Sequence, residues 1–217
     1  MNYKPGICTF CGTGCGHLLD VRGDEVRGVF PVQNHPVSKG RLCVRGWNIH
    51  ELLNTPDKIT APLVRKDGAL VETGYDEAVS LVAKTLGGLA KESPEGIGFL
   101  ASPRSSNEEN FLLMKLARAV FNTNNISLDY DPGHRVSIDV LRAGTGMAGM
   151  LGSLEEIAEC EFLMTVGIDI TKQNPIIGSE LHKAARAGAN LVVLDTRATQ
   201  IAKLSGSFHH IRPGAYR

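Results

Sequence analysis

The chain has two successive regions that differ in their pattern of hydrophobic and polar residues. Residues 17–21 and 25–29 alternate apolar and polar side chains on either side of a turn at residues 22–24. Alternation with a period of two around a Gly-Asp pair predicts a β-hairpin. Residues 47–53 then have the spacing of a short helix that ends before Pro56. The pattern of the first region therefore predicts a small domain that contains a β-hairpin.

From about residue 60 the pattern changes to alternating strands and helices. A second hairpin is predicted around Asp67-Gly68. Apolar residues at helical spacing predict helices over residues 76–91, 107–121, 177–187 and 198–204. Short apolar runs predict strands at residues 97–101, 126–128, 161–166, 191–194 and 208–211. Strands separated by helices indicate the α/β class, with a Rossmann-like, doubly wound and mostly parallel sheet over residues 59–217 behind a small cysteine-rich domain over residues 1–58.

The small domain carries a distinctive set of cysteines. Cys8, Cys11 and Cys15 form C-x2-C-x3-C, and Cys43 follows after residues 16–42. Three thiolates close together in the sequence and a fourth, Cys43, that follows the predicted hairpin suit a [4Fe-4S] cluster, because such a cluster takes one cysteine per iron. The intervening glycines allow the backbone to wrap tightly and to aim N–H groups at the sulfides; they are Gly12, Gly14 and Gly16. The sequence predicts an iron–sulfur centre on these four cysteines.

Two other interpretations of the cysteines stay open at this point. A structural zinc site also uses four cysteines, but its usual pattern is two C-x2-C pairs rather than an uneven triple. Unconnected free thiols would be spread along the chain, whereas four of the five cysteines fall in its first fifth. Both patterns favour the iron–sulfur interpretation.

Charge and hydropathy exclude some classes of partner. Of the 217 residues, 23 are Lys or Arg and 23 are Asp or Glu, and this balance argues against nucleic acid or an anionic membrane surface as the main partner. No apolar run approaches the ~18–20 residues that span a bilayer. The N-terminus shows neither a secretory signal nor a twin arginine. We expect a cytoplasmic protein without direct membrane insertion, in which clustered cysteines bind metal rather than form disulfides.

Several longer motifs make the chain recognisable. C-T-F-C-G-T-G-C begins at residue 8, H-P-V-S-K-G-R-L-C-V-R-G-W at residue 35 and T-P-D-K-I-T-A-P-L-V-R at residue 55. S-P-R-S-S-N-E-E-N-F at residue 102, V-G-I-D-I-T-K-Q-N-P at residue 166 and N-L-V-V-L-D-T-R at residue 190 follow. Together they cover essentially the whole chain, which resembles the N-terminal part of molybdopterin oxidoreductases and is most similar to the formate dehydrogenase catalytic subunit.

The resemblance implies both a fold and cofactors. In this family a [4Fe-4S] domain packs on dinucleotide-binding α/β domains, and the cluster carries electrons from a molybdenum or tungsten bis-molybdopterin guanine dinucleotide centre. Loops matching Gly167–Pro175 and Asp195–Arg197 line the guanine dinucleotide, which makes Asn174, Asp195 and Arg197 candidate cofactor residues. The alternative is that these residues are turn and capping groups of the sheet.

Arg45 is the remaining candidate cofactor residue. It stands where relatives have the Lys of C-V-K-G, between cluster and pterin. Arginine keeps the positive charge but not the compact ammonium geometry. Pairing with the charge of the cluster alone is the alternative role.

The chain departs from the family at the catalytic metal. Formate-oxidising members place a Cys or selenocysteine before a His, with an Arg two residues before the Cys. Here His134 matches the His, but Gly133 and Asp131 occupy the other two positions. No cysteine lies between Cys43 and Cys160, so no shift of the match restores the ligand. We expect no formate oxidation at this position, and no catalytic residue is assigned.

A further departure is length, since members of the family run several times longer. A piece of a longer chain, a gene split into two subunits and a naturally short, cofactor-free relic would each account for it. The leading hypothesis is an electron-transfer subunit that relays electrons through one [4Fe-4S] cluster to flavin or iron–sulfur subunits of a formate dehydrogenase, hydrogenase or electron-bifurcating complex. The alternatives are the N-terminal part of a split molybdenum or tungsten oxidoreductase and a structural scaffold module.

Overall fold

The computed structural model describes residues 2–128 and 131–215, with the backbone alone for residues 131–133. The chain divides into two compact units. The first unit comprises Met1–Asn54 and Leu141–Arg217, and the second unit comprises Thr55–Val140. The domain boundary expected between residues 58 and 59 stays a prediction.

An antiparallel sheet organises the N-terminal part of the first unit. Its strands are β1 (Asn2–Ile7), β2 (Gly16–Arg22) and β3 (Glu25–Pro31), in the order β1-β2-β3. The predicted hairpin is confirmed as β2–β3, and Gly23 supplies the left-handed turn residue at φ +62°. Strand β1 was not predicted, because its Pro5 and Gly6 are typical of turns and because Pro is tolerated in a strand mainly at a sheet edge.

A pair of short helices follows β3 where one helix was predicted. They are α1 (Val44–Trp47) and α2 (Ile49–Leu53). Asn48 separates them with φ −104° and ψ 16°, outside the usual α-helical range. Helix α1 begins directly after Cys43, which is its N-cap residue.

A parallel sheet organises the rest of the first unit. Strands β8 (Phe162–Val166), β9 (Asn190–Asp195) and β10 (Ser207–His210) run in the order β10-β9-β8. Their helices are α6 (Leu154–Glu159), α7 (Ile170–Gln173) and α8 (Pro175–Arg186), and a 3-10 turn at Ile201–Leu204 replaces the predicted helix over residues 198–204. The core lies between sheet and helices and contains Ile170, Leu181, Leu191, Val193 and Ile201.

The second unit combines two small sheets with long helices. Strands β4 (Leu63–Lys66) and β5 (Ala69–Glu72) form the predicted hairpin, with positive φ at both Asp67 and Gly68, as a tight hairpin turn requires. Helix α3 (Tyr75–Glu92), strand β6 (Phe99–Ala101), helix α4 (Asn107–Lys115) and strand β7 (Ile126–Leu128) follow. Strands β6 and β7 pair in parallel.

Two helices of this region differ from the sequence prediction. The helix predicted to reach residue 121 ends at Lys115 and continues as a π-helical turn over Leu116–Val120. Helix α5 (Asp131–Thr145) was not predicted, because Pro132-Gly133 is typical of a turn although Pro is also compatible with the first turn of a helix.

The α/β class is confirmed. Among the described residues the parallel strands form two separate sheets, one of three strands and one of two. No helix in this part of the chain combines the length and hydropathy needed to cross a bilayer.

Candidate metal centre

The four cysteines of the motif meet at the N-terminal sheet. Cys8 follows β1, Cys11 and Cys15 lie in the loop that leads to β2, and Cys43 precedes α1. A backbone hydrogen bond of 2.8 Å from Cys8 N to Cys15 O closes the loop. Cys8 and Cys15 are buried, with 6% and 5% of their surface exposed, while Cys11 and Cys43 are half-buried. Strand pairing therefore brings Cys8 and Cys15 together.

The electrostatics of the thiols show that all four lie near one another. Burial, with smaller contributions from the other three thiols, raises the pKa of Cys15 to about 11. Burial also raises the pKa of Cys8, with contributions from Cys11 and Cys43. Four thiolates in one pocket would repel each other, so this site favours a positively charged occupant.

Cys43 behaves differently from the buried pair. Burial raises its pKa, but the N–H groups of Gly46 and Arg45 and the Arg45 side chain outweigh that effect, and the pKa is lowered overall. These N–H groups belong to the first turn of α1, where amides point outward without helical partners. The helix start is therefore built to stabilise a thiolate at Cys43.

Two glycines explain why the loop folds closely. Gly14 has φ +63°, a left-handed conformation that favours glycine. Gly16 lies under the imidazole of His35, and a Cβ at this position would lie 2.3 Å from His35 Cδ2. The role predicted for Gly12 has no steric counterpart, since nothing lies within 4 Å of where its Cβ would be.

The donor set fits an iron–sulfur cluster. Four thiols lie near one another, and two of them are buried. Backbone amides also point at the sulfur of Cys43. Within residues 2–128 and 131–215, no group of three or more His, Cys, Asp and Glu side chains is spaced to hold a single metal ion. A four-iron cluster takes one thiolate per iron and so spaces its ligands more widely than one ion does.

Two of the candidate cofactor residues lie beside the cysteine loop. Asn174 Nδ2 lies 3.4 Å from Thr13 Oγ1, and the same Oγ1 lies 3.4 Å from Cys11 Sγ. Arg45 Nη2 donates a 2.9 Å hydrogen bond to the carbonyl of Gln173. The turn between α7 and α8 is thus connected to the cysteines through side chains.

Thr13 and the aromatic ring of Phe10 beneath Arg45 were not predicted as parts of the site. Thr13 is 7% exposed, and the signal that could have found it is a hydroxyl residue between two glycines and two cysteines. The Arg45 guanidinium lies 6.0 Å from the centre of the Phe10 ring, within the range of a cation–π contact. Residues inside the motif, not only its cysteines, build the site.

Asp195 and Arg197 lie at the carboxyl end of β9. The buried Asp195 carboxylate accepts hydrogen bonds from the Arg197 backbone N–H at 3.2 Å and from the Thr196 hydroxyl at 3.4 Å. This is the geometry of an Asx turn, and the Arg197 side chain is exposed. A role of either residue in binding a pterin dinucleotide stays a prediction. The side chains of Asp131 and Gly133 lie outside the described residues.

Fold and site together define an iron–sulfur protein in which an α/β region follows the cluster domain along the chain. The family described as the molybdopterin oxidoreductase Fe4S4 domain matches residues 1–55, and the family described as molybdopterin oxidoreductase matches residues 58–215. The chain belongs to the molybdopterin oxidoreductase family. The [4Fe-4S] cofactor and the resemblance inferred from the sequence are confirmed.

Similar proteins include formate dehydrogenase subunits. The chain is 35% identical over 214 residues to F420-dependent formate dehydrogenase 1 subunit alpha of Methanococcus maripaludis, covering 99% of this chain and 31% of that protein. It is 34% identical over 208 residues to F420-dependent formate dehydrogenase subunit alpha of Methanocaldococcus jannaschii, covering 96% and 30%. The chain therefore spans about a third of the length of these relatives.

A solved structure shares the fold. Acetylene hydratase from Pelobacter acetylenicus superimposes with a TM-score of 0.77 at 20% identity, covering 94% of this chain and 29% of that chain.

Proposed function

We propose that this chain is the iron–sulfur electron-transfer part of a larger, formate-dehydrogenase-like oxidoreductase, and that Cys8, Cys11, Cys15 and Cys43 hold its [4Fe-4S] cluster. The observation that carries the proposal is the gathering of all four thiols at one loop, two of them buried. On this proposal, residues 1–58 form the cluster domain and residues 59–217 the α/β domain.

A bound cluster supplies one-electron transfer at this place, and the chain's own residues hold and tune it. The four thiolates bind iron, the first-turn amides of α1 face Cys43, and Arg45 adds a positive charge on the same side. Hydrogen-bond donors and positive charges near the sulfurs stabilise the more negative, reduced state of a cluster and raise its potential. Gly133, where the family's metal-binding cysteine belongs, argues against a substrate site on this chain.

A relay also needs partners, because electrons must arrive and leave. We propose flavin or iron–sulfur subunits of a formate dehydrogenase, hydrogenase or electron-bifurcating complex as those partners. The similarity to subunits named formate dehydrogenase supports a multi-subunit assembly. Cysteines kept as metal ligands support a cytoplasmic location.

A second candidate function is favoured by one specific observation. Arg45 and Asn174 both connect the cysteine loop to the turn between α7 and α8, and the resemblance places a pterin dinucleotide at that turn. The chain would then be the N-terminal part of a molybdenum or tungsten oxidoreductase that a second polypeptide completes. The presence of molybdenum or tungsten together with extractable pterin would distinguish this function from the electron relay. A purely structural scaffold is the third possibility.

The first experiment is metal analysis of the protein isolated anaerobically with its partners attached. About four irons for this chain and no molybdenum or tungsten in the assembly support the relay. Molybdenum or tungsten that stays with this chain supports the second function, and zinc in place of iron contradicts both. Cys15→Ser is expected to remove the cluster absorbance and reduced-state EPR signal, whereas Cys160→Ser, outside the motif, is expected to keep them.

Electron transfer itself is tested in the intact assembly with Cys11→Ser. Loss of electron flow between the neighbouring subunits, with the assembly still intact, supports the relay. Full electron flow in the metal-depleted variant would contradict it and leave the scaffold function.

A further inference from the structure

A pocket beside helices α7 and α8 of the first unit has a volume of about 480 Å³. The two helices are in direct contact there, since a Cβ at Gly178 would lie 3.1 Å from Thr171 Cα. Side chains that line the pocket include Ser179, Lys183 and Arg186. No carboxylate occurs among its lining residues in the described part of the chain. The lining therefore offers hydroxyl and cationic groups to an occupant.

Ion pairs around this pocket combine buried carboxylates with exposed cations. Asp169 pairs with Lys172. Glu180 pairs with both Arg41 and Lys183. The two carboxylate side chains are each 5% exposed, whereas those of Lys172 and Lys183 are 69% and 59% exposed. A partner that approaches from solvent therefore meets the positive members of these pairs.

The charges in this region do not cancel. Three cations face two carboxylates in these ion pairs, and Arg186 in the last turn of α8 adds a further exposed cation. The excess is local, because Lys and Arg together number 23 in the whole chain, as do Asp and Glu. A surface region of one sign attracts and orients partners of the opposite sign. This region therefore favours an anionic partner.

Helix α8 also contacts the cysteine loop. Ile176, near the start of α8, packs with Cys8 and Cys15 in one buried group. Ser179, about one turn further along, lines the pocket. Because a helix with its side chains is about 10–12 Å across, the pocket lies within roughly one helix diameter of the thiols. A redox protein bound at the pocket would therefore lie close to the cluster.

The pocket and the side chains of Lys172, Lys183 and Arg186 together form a surface that is here called the α8 basic face. We propose, on the basis of the electron-relay function above, that the α8 basic face docks the acidic face of the protein that exchanges electrons with the cluster. In the transfer, one electron leaves the reduced centre of one protein and reduces the oxidised centre of the other. No covalent bond forms or breaks.

The spread of the charges selects a protein surface as the occupant. Helix α8 has 12 residues and so spans about 18 Å, and Lys172 precedes its start. Cations over this length match several carboxylates of a protein better than a single phosphate. The balanced net charge of the chain argues against nucleic acid. Charge-steered contacts of small area are typical of transient electron-transfer partners.

The test uses the 217-residue chain with its cluster and, as the probe, an acidic flavodoxin whose reduced flavin gives one electron to the oxidised cluster. Stopped-flow absorbance of the flavin measures the second-order rate for wild type and Arg186→Glu. The control is Lys4→Glu, which changes the net charge equally at an exposed position on β1. Reduction by methyl viologen, a small cation that the face does not attract, measures the competence of the cluster.

At about 0.1 M salt, charges act over about 10 Å, so only nearby charges matter. Arg186→Glu should then slow electron transfer from flavodoxin by about fivefold or more, and Lys4→Glu by less than about twofold. Arg186→Gln, which removes one charge without adding another, should fall between wild type and Arg186→Glu. The differences should disappear at about 1 M salt, and the rate with methyl viologen should be the same in all four proteins.

Carbodiimide cross-linking provides a second readout that does not depend on electron transfer. It joins a lysine amine to a carboxylate only where the two are in contact. Mass spectrometry should find flavodoxin carboxylates joined to Lys172 and Lys183 and not to Lys4. An unaltered melting temperature and EPR signal of each variant show that folding and the cluster are intact.

Three results would overturn the docking face. One is an equal loss of rate in Arg186→Glu and Lys4→Glu, which would assign the effect to net charge. Another is cross-linking of flavodoxin to other lysines only. The third is protection of Lys183 by inorganic phosphate with an unchanged flavodoxin rate, which would assign the pocket to a small anion. A wild-type cluster that methyl viologen fails to reduce would instead contradict the electron relay itself.

Discussion

The guanidinium of Arg41 forms an ion pair with the carboxylate of Glu180, a residue 139 positions further along the chain. Arg41 lies two residues before Cys43, and Glu180 lies on α8 beside the parallel sheet. The Glu180 side chain is 5% exposed, and Lys183 Nζ is 3.0 Å from its second oxygen. Through this pair, α8 fixes the segment that delivers the fourth cysteine.

Replacing Glu180 tests that connection. Burial raises the pKa of Glu180, but hydrogen bonds and charge from Arg41 and Lys183 outweigh it, so the folded-state pKa is below the ordinary value of 4.5. A lowered carboxylate pKa adds stability above the unfolded pKa, and this stability is lost as pH falls through the folded pKa. We expect Glu180→Gln to reduce the free energy of unfolding at pH 7 by about 1–3 kcal/mol.

Denaturant titrations of wild type and variant from pH 7 to pH 3 provide the measurement. The difference between the two proteins should shrink as pH falls below about 4.5, where the unfolded carboxylate protonates. Glu161→Gln, at an exposed position, should change stability by less than about 0.5 kcal/mol. A difference for Glu180→Gln that stays constant across this range would contradict the charge pairing.

Gly16 offers a second stability test. A Cβ at Gly16 would meet the His35 ring, whereas one at Gly12 would meet nothing within 4 Å. Gly16→Ala should therefore lower stability by about 1–3 kcal/mol through overpacking. Gly12→Ala in the same loop should be within about 0.5 kcal/mol of wild type. Thermal unfolding of both variants compares them, and equal melting temperatures would show that the ring moves aside freely.

Thr13 is expected to tune the cluster. Once Cys11 binds iron its sulfur has no proton, so the Thr13 hydroxyl becomes the donor while its oxygen can accept from Asn174. A donor to sulfur stabilises the reduced cluster, and losing about 0.5–1.5 kcal/mol of this stabilisation corresponds to about 20–65 mV for one electron. Thr13→Val should lower the midpoint potential by that amount, and Thr13→Ser should restore it. Redox titration followed by EPR measures both, and identical potentials would exclude this role.

Arg45 is expected to act mainly through its charge. Its guanidinium contacts Cys43, the carbonyl of Gln173 and the Phe10 ring. Arg45→Met should lower the cluster potential, because a positive charge near the sulfurs favours the more negative state. Arg45→Lys should leave the midpoint potential close to that of the wild type, although it loses the hydrogen bond to the carbonyl of Gln173. If Arg45→Lys lowers the potential as much as Arg45→Met, the planar geometry of the guanidinium, rather than its charge, is what matters.

Local sequence patterns specified much of the fold. The β2–β3 and β4–β5 hairpins were predicted from alternation and turn residues, which act over a few positions. Helix α3 followed from apolar periodicity, and strand β9 followed from a short apolar run. Strand β1 and helix α5 were missed, because the Pro-Gly pair that each contains is typical of a turn.

By itself, the sequence determined the α/β class, the family and the identity of four closely associated cysteines, since spacing along the chain restricts what a loop can bind. Tertiary structure alone decided that Thr13, Asn174, Arg45 and Gln173 meet beside that loop and that Glu180 holds Arg41. These contacts join residues more than a hundred positions apart. Packing of α8 against the sheet creates them, and no local periodicity encodes which distant side chain will fill a given place.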